Sequence, residues 1–394
     1  MSDDKNMKPG WKVWRFDQMA TNVNVRIDNP SESGMEHYVG LEHLDADSLK
    51  IRRWGTPGDV EATKLMFKKG DIIFGRRRAY QRKLGVAEFD GICSAHAMVL
   101  RAKSEVVLPE FLPFFMQSDL FMKRAVEISV GSLSPTINWK TMAVQEFALP
   151  DVEEQRQLVQ ALSATRDCAE AYRSAEVALQ TFLLSRTDEL FSGAPDAGAT
   201  VQTIGDIAEV QYGLTINAKR RTIEKQLPYL RVANVQRFDI DLSEVKDVGV
   251  DGKDDGCILK RDDILLVEGH ADINELGRAS IWEEQLPVCL HQNHLIRIRC
   301  LPAVDPYYVL EYVNSPAGRA YFRGRGKSTS GLNTLNSTVV RQMPIPVPPL
   351  DIQKSISDEL KEARRSLDGI SKRKVQHATV ASRLSAEIFG GRQG

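Results

Sequence analysis

Residues 75–83 read GRRRAYQRK. Five of the nine are basic, one is tyrosine and none is acidic. Cations crowded this closely repel one another unless an anion lies among them, and phosphate is the anion that suits them. Arg76, Arg77, Arg78, Arg82 and Lys83 therefore form, with Tyr80, a candidate nucleic-acid surface. An arginine here has two uses. It can neutralise a phosphate, or it can pair in bidentate fashion with guanine O6 and N7, worth ~1–3 kcal/mol of discrimination. The simpler reading is a solvated basic loop. Five charges in nine residues beside a tyrosine favour nucleic acid.

Further along, the charge is spread differently. Lys219, Arg220 and Arg221 lie in KRRTIEK, Arg231, Asn234 and Arg237 in RVANVQR, and Arg323, Arg325 and Lys327 in RGRGK. The stretch EGHADINELG, residues 268–277, carries His270 and Asn274 but almost no positive charge.

Catalytic patterns are incomplete. GKS at 326–328 resembles the end of a phosphate-binding loop, but Tyr321 stands where that loop needs a glycine. VPPLD has Val347 and Leu350 where an amino-methylation motif needs an amide or acid and an aromatic ring. DDILLVEGH places carboxylates on a strand, as metal nucleases do, but His270 occupies the lysine position. Cys289, His291 and His294 could supply part of a zinc site, yet no second pair follows at a suitable spacing. No catalytic residue and no metal site is expected.

The elements that position the charged loops are duplicated. LPDVEEQ (149–155) returns as VPPLDIQ (347–353), with Gln155 falling on Gln353, and the register holds for almost forty residues to FSG and FGG. Ahead of each copy, VWRFDQMA resembles VQTIGDIA, KKGDIIF resembles KRDDILL, LGVA at Leu84 resembles LGRA at Leu276, and SAHAMVLR at Ser94 resembles HQNHLIRI at His291. Under this alignment GRRRAYQRK and EGHADINELG are equivalent loops of unlike chemistry. That suits two modules reading two different sequences.

Each repeat closes with a proline-free run at heptad spacing that stops at glycine. The seam comprises Leu158, Leu162, Tyr172, Leu179, Leu183 and Leu190 in the first copy, and Ile356, Leu360, Leu367, Ile370, Leu384 and Ile388 in the second. Each helix would span roughly 50 Å. A lone seam needs a partner, and the other copy is the nearest one, packed antiparallel about a pseudo-twofold axis. Glu176 and Lys374 hold equivalent seam positions and would face each other in a pair centred there. The remainder reads as mixed α/β, with strand-like runs such as DIIF, AMVLRA, DILLVE and HLIRIRC. Short helices are expected within 109–126 and 306–322. The fold class is therefore α+β (mixed α/β). Two globular domains (1–150 and 194–348) are each followed by a spacer helix (151–193 and 349–391).

Composition sets outer bounds. The 394 residues exceed one ordinary core, and 42% apolar with 27% charged residues is globular. Fifty-two basic against 53 acidic residues leave no global attraction to DNA, so any interface is local. No run is apolar enough to span a membrane, the polar start lacks a signal-peptide core, and five scattered cysteines suit a reducing cytoplasm.

The paired turns leading into long helices, the GDI and DDIL strands upstream of each, and PYLRVANVQ at 228–236 together resemble the specificity (S) subunit of type I restriction-modification systems. The resemblance covers the whole chain. Asp151 departs from it, standing where a second proline is usual. It implies two target-recognition domains that each read half of a split duplex DNA sequence, held apart by an antiparallel coiled coil. It also implies docking of two methyltransferase subunits and of restriction translocase subunits. S-adenosylmethionine, ATP and Mg would then belong to those partners, with no cofactor in this chain. Two other classes stay open: a duplicated coiled-coil adaptor that binds proteins and not DNA, and a stand-alone nuclease or methyltransferase.

Overall fold

The computed structural model describes residues 8–194, 198–329 and 331–390. The chain forms two compact units, Met1–Arg173 with Arg373–Gly394, and Ser174–Lys372. Each unit contains one globular part and a length of both long helices. The division thus runs across the helices and not at the proline turns.

In the first unit, strands Ala20–Val23, Met98–Ala102, Ile72–Phe74 and Leu84–Val86 lie side by side in that order, all antiparallel. The second unit repeats this order with Ala208–Tyr212, Leu295–Cys300, Ile264–Val267 and Ala279–Ile281. The strands Ile72–Phe74 and Ile264–Val267 are apolar at every position because both faces are covered. Ile72 and Phe74 enter one core while Ile73 enters another; Ile264 and Leu266 divide from Leu265 and Val267 in the same way. A second sheet in each unit contains a parallel pair, Tyr38–Val39 with Gly91–Ser94 and Gln226–Leu230 with Leu290–His291. A terminal strand pairs Lys12–Arg15 with Glu146–Leu149, and Thr200–Thr203 with Pro344–Val347.

Buried polar anchors repeat too. Asp71 and Asp263 accept from the amides of Lys68 (2.8 Å) and Lys260 (2.7 Å), and each receives a bidentate arginine, Arg101 or Arg299. These pairs correct two of the sequence alignments. Arg101 corresponds to Arg299, one residue beyond the SAHAMVLR–HQNHLIRI match. Leu84 pairs with Phe74 as Ala279 pairs with Leu266, so LGVA matches the strand beginning at Ala279 and not LGRA at Leu276. The loop after Ile264–Val267 is longer, which moves the register. One carboxylate of DDILLVEGH is accounted for as well, since Asp263 is occupied by Arg299.

The long helices run Val152–Ser192 and Leu350–Phe389. Gln155 and Gln353 fasten their starts. Gln155 Oε1 accepts from Leu108 N (2.8 Å), and its Nε2 donates to Val106 and Pro150 carbonyls (both 3.0 Å). Gln353 accepts from Asp305 N (2.9 Å) and donates to Pro348 O (2.8 Å). Glutamine suits both places because one buried side chain must both donate and accept. The Asp151 departure is harmless, as its carboxylate caps the helix at Glu154 N (2.9 Å).

Within each unit the two helix lengths are antiparallel. In the second, Arg186 meets Glu359 and Glu176 accepts from Ser371, so numbers rise on one helix as they fall on the other. In the first, Leu162 shares a core with Ile388, and the Tyr172 and His377 rings stand 5.8 Å apart. Leu162, Leu183, Ile356, Leu360 and Ile388 are buried, whereas Leu158, Tyr172, Leu179, Leu190, Leu367, Ile370 and Leu384 are half-buried.

Candidate nucleic-acid interface

The basic loop of the first unit joins Ile72–Phe74 to Leu84–Val86. It is held open by two arginines in left-handed conformation, Arg78 (φ 58°) and Arg82 (φ 54°), flanking a turn Ala79–Gln81. Ala79 is buried and Tyr80 points outward at 53% exposure. The loop is zipped to a second segment: Arg78 N donates to Pro135 O (2.7 Å) and Ile137 N to Arg76 O (3.0 Å). Arg77 and Arg78 each place Nη2 3.2 Å from Ser134 Oγ. Arg76 donates Nη2 to Ala95 O (3.0 Å), while its Nε is buried without a partner.

No carboxylate is ion-paired with Arg76, Arg77 or Arg78 among the described residues. Their field reaches His96, whose imidazole is held below its ordinary pKa by burial first, then by Arg77, Arg76 and Lys64. Arg82 and Lys83 are different. Arg82 is engaged by Asp47, by Asp119 (3.0 Å) and by Gln117 O (2.7 Å); Lys83 donates to Leu41 O (2.7 Å). These two cations tie the loop down and are not turned toward a ligand.

In the second unit the equivalent loop is also zipped to a hairpin. Gly269–His270 pairs with Leu332–Thr334, which pairs with Lys327–Thr329. His270 Nδ1 accepts from Asp272 N (3.0 Å), and the exposed Asn274 donates to Asp272 Oδ1 (3.1 Å). Lys327 and Arg323 are exposed, and Arg325 lies 3.9 Å from the centre of the Tyr321 ring. Lys219 and Arg221 are exposed on the turn Ala218–Thr222.

Four neighbours serve the fold. Arg220 is bidentate to Asp254 (2.7 and 2.8 Å) and holds that carboxyl below its ordinary pKa. Asn234 is 3% exposed and makes three backbone hydrogen bonds, to Arg231, Asp241 and Glu244. Arg237 is pressed against Asn314 and Asn274 O, and Arg231 against Glu244. A base edge cannot reach Asn234 without dismantling that turn.

The partial zinc set does not converge. Cys289 is buried, the His291 imidazole faces Cys257 O (3.1 Å), and His294 turns out to Glu268 (2.8 Å). Among the described residues no three metal-ligating side chains gather.

Sequence reasoning passed over the tips that flank the charged loops. Residues 129–136 carry Val130 at 78% and Leu133 at 90% exposure, and the hairpin of the second unit carries Leu332 at 45%. Gly131 (φ 118°) and Gly331 (φ 80°) were the available signal, since each turn requires a left-handed residue. A second omission is Trp54, 48% exposed, whose ring stands edge-on to Phe89 (5.1 Å) and His37 (5.4 Å).

The model of the type I restriction modification DNA specificity domain matches residues 55–176 and 198–377, more than half of the chain and once in each half. The chain belongs to that family. It is 20% identical over 362 residues to the type I restriction enzyme StySPI specificity subunit of Salmonella potsdam, covering 88% of this chain and 76% of that one. Against the EcoDI specificity subunit of Escherichia coli it is 26% identical over 151 residues, 38% of this chain and only 33% of the relative's length. A crystal structure of a type I restriction-modification S subunit from M. genitalium aligns over 100% of this chain and 99% of that one, with TM-score 0.62 and 13% identity. A structure from work on assembly and conformational transition of the type I R-M system aligns over 97% and 98%, with TM-score 0.57 and 19% identity. These likenesses establish the fold of two recognition domains and two long helices.

Proposed function

We propose that this chain reads a two-part duplex DNA target as the specificity subunit of a type I restriction-modification complex. The observation that carries this reading is that two units of the same strand order present unlike side chains at the same place. The first offers Arg76, Arg77, Arg78 and Tyr80 beside Ser134. The second offers His270 and Asn274 beside Lys327, and carries Lys219 and Arg221 exposed on the turn Ala218–Thr222. Phosphate contacts would position each unit, and unlike loop residues would specify unlike half-sites.

Duplex DNA is the substrate-side partner in this proposal, and methyltransferase and restriction subunits are the protein partners. Val177, Phe182 and Leu184 on one helix, and Val375 and Val380 on the other, are exposed apolar residues that a docking subunit would cover. S-adenosylmethionine, ATP and Mg would act in those subunits, and this chain would position DNA without reacting on it. No helix among the described residues is long and apolar enough to cross a membrane, and the cytoplasm is the compartment the proposal requires.

Exchange of residues 8–150 for the corresponding domain of another family member tests the reading. With the cognate methyltransferase present, genome-wide adenine-methylation mapping should show one half of the target changed and the other retained. A change in both halves would refute it.

A further inference from the structure

The two units allow each site to be compared with its counterpart, and they part company at one place beside the long helices. In the second unit, Arg364 donates two hydrogen bonds to the carboxylate of Glu311 (2.7 and 2.5 Å), and its guanidinium lies 3.4 Å from the centre of the Phe238 ring. Glu311 is 4% exposed, and Phe238 packs into the core. That site is filled and its charge is neutralised.

The counterparts in the first unit are Arg166, Phe114 and Asp47. Arg166 follows from the helix repeat. Phe114 and Glu311 each stand four residues before the serine that caps the next helix, Ser118 or Ser315. Asp47 and Phe238 are both left-handed (φ 54° and 65°), four residues after His43 and Asn234, whose side chains each accept from the amide three residues back. At this site, therefore, both the plugging ring and the carboxylate are missing. Among the described residues Arg166 bonds its exposed neighbour Asp167 (2.9 Å) and no other side chain, with the Phe114 ring 5.7 Å away, while Asp47 faces Arg82.

What remains is a groove of about 1220 Å³ floored by Phe114, Leu120, Leu162 and Phe389. Gln117 on its wall has a buried Nε2 with no hydrogen-bond partner. Its counterpart Asn314 is satisfied by Ala279 and Arg237. Of the lining acids, Asp47, Asp119 and Glu170 each already face an arginine of the unit and Glu387 is exposed, while Lys50, Lys123 and Arg173 are exposed cations on its rim, Arg173 standing 4.0 Å from Glu170.

We propose that this groove is a docking site for a segment of a protein partner that carries an aromatic ring beside carboxylates. The ring would take the place that Phe238 fills in the second unit. A carboxylate would take that of Glu311 on Arg166. An apolar floor suits such a segment and not a nucleic-acid backbone, whose phosphates keep their water. Only the first unit offers the site, so one segment binds per chain. The inference stands apart from the DNA reading, which can fail without affecting it.

The test uses a labelled peptide, acetyl-Glu-Glu-Phe-Glu-Glu-amide, titrated with the full chain and followed by fluorescence anisotropy. Saturable binding of one peptide per chain is expected. It should weaken at least tenfold with Phe114→Glu, which supplies Arg166 with an internal carboxylate, and with a control peptide lacking the phenylalanine. Arg166→Ala gives the same readout if Phe114→Glu does not fold by circular dichroism. Absence of saturation, two peptides per chain, or undiminished binding by these variants and the control peptide would overturn the proposal. So would displacement of the peptide by a nonspecific DNA duplex, which would make the groove a nucleic-acid site.

Discussion

Replacing Arg77 and Arg78 together by alanine isolates charge that the fold does not use. Neither is ion-paired with a carboxylate among the described residues, and both guanidinium groups end on the hydroxyl of Ser134. If each neutralises one phosphate, the slope of log affinity against log salt falls in magnitude by about 0.9 per contact, hence by about 1.8 for the pair. Between about 50 and about 200 mM salt the wild-type chain should then lose roughly twelvefold more affinity for duplex DNA than the variant does. Fluorescence anisotropy at four or five salt concentrations measures this directly. Arg82→Ala is the internal comparison. Its guanidinium is shared by Asp47 and Asp119, so its slope should stay close to wild type while its melting temperature falls. Equal slopes for wild type and the double variant, or an Arg82→Ala change as large as that of the pair, would refute the assignment of outward and inward cations.

Two further outcomes follow from buried groups. Gln353→Ala leaves the Asp305 amide and the Pro348 carbonyl unsatisfied in a site 1% exposed, and should cost about 1–3 kcal/mol in denaturant melts; a loss within error would mean the staple is dispensable. Burial pushes the His291 imidazole down from 6.5 to about 4, so the folded chain keeps it neutral while the unfolded chain takes up a proton. Its contribution is present in full above pH 6.5 and is lost as pH falls from there toward about 4, which His291→Phe should abolish in melts recorded across that range.

The duplication was legible because it is written in short-range pattern. Heptad spacing, the proline turns and the glycine stops are local, and Gln155 and Gln353 recur at one offset because each staples its helix to the loop ahead of it. The alternation of Ile72–Phe74 was not informative, since a strand buried on both faces shows no polar side. Register slipped where the two halves differ in loop length, at Leu84 and Ala279, and only the strand pairing restores it.

The fate of individual cations was beyond the sequence. Arg82 and Arg220 look like the arginines beside them, but the acids that occupy them, Asp47, Asp119 and Asp254, lie 34 to 37 residues away in the chain. Asn234 likewise stands among the candidate DNA-facing residues until its amide is seen closing a turn. The sequence by itself determined that there are two copies of one plan, each with a helix. Only the tertiary structure decided which charges remain for a ligand, and that Phe238 and Glu311 close in the second unit what Asp47 and Phe114 leave open in the first. A charge is spent or free according to what folds against it, and those neighbours come from distant parts of the chain.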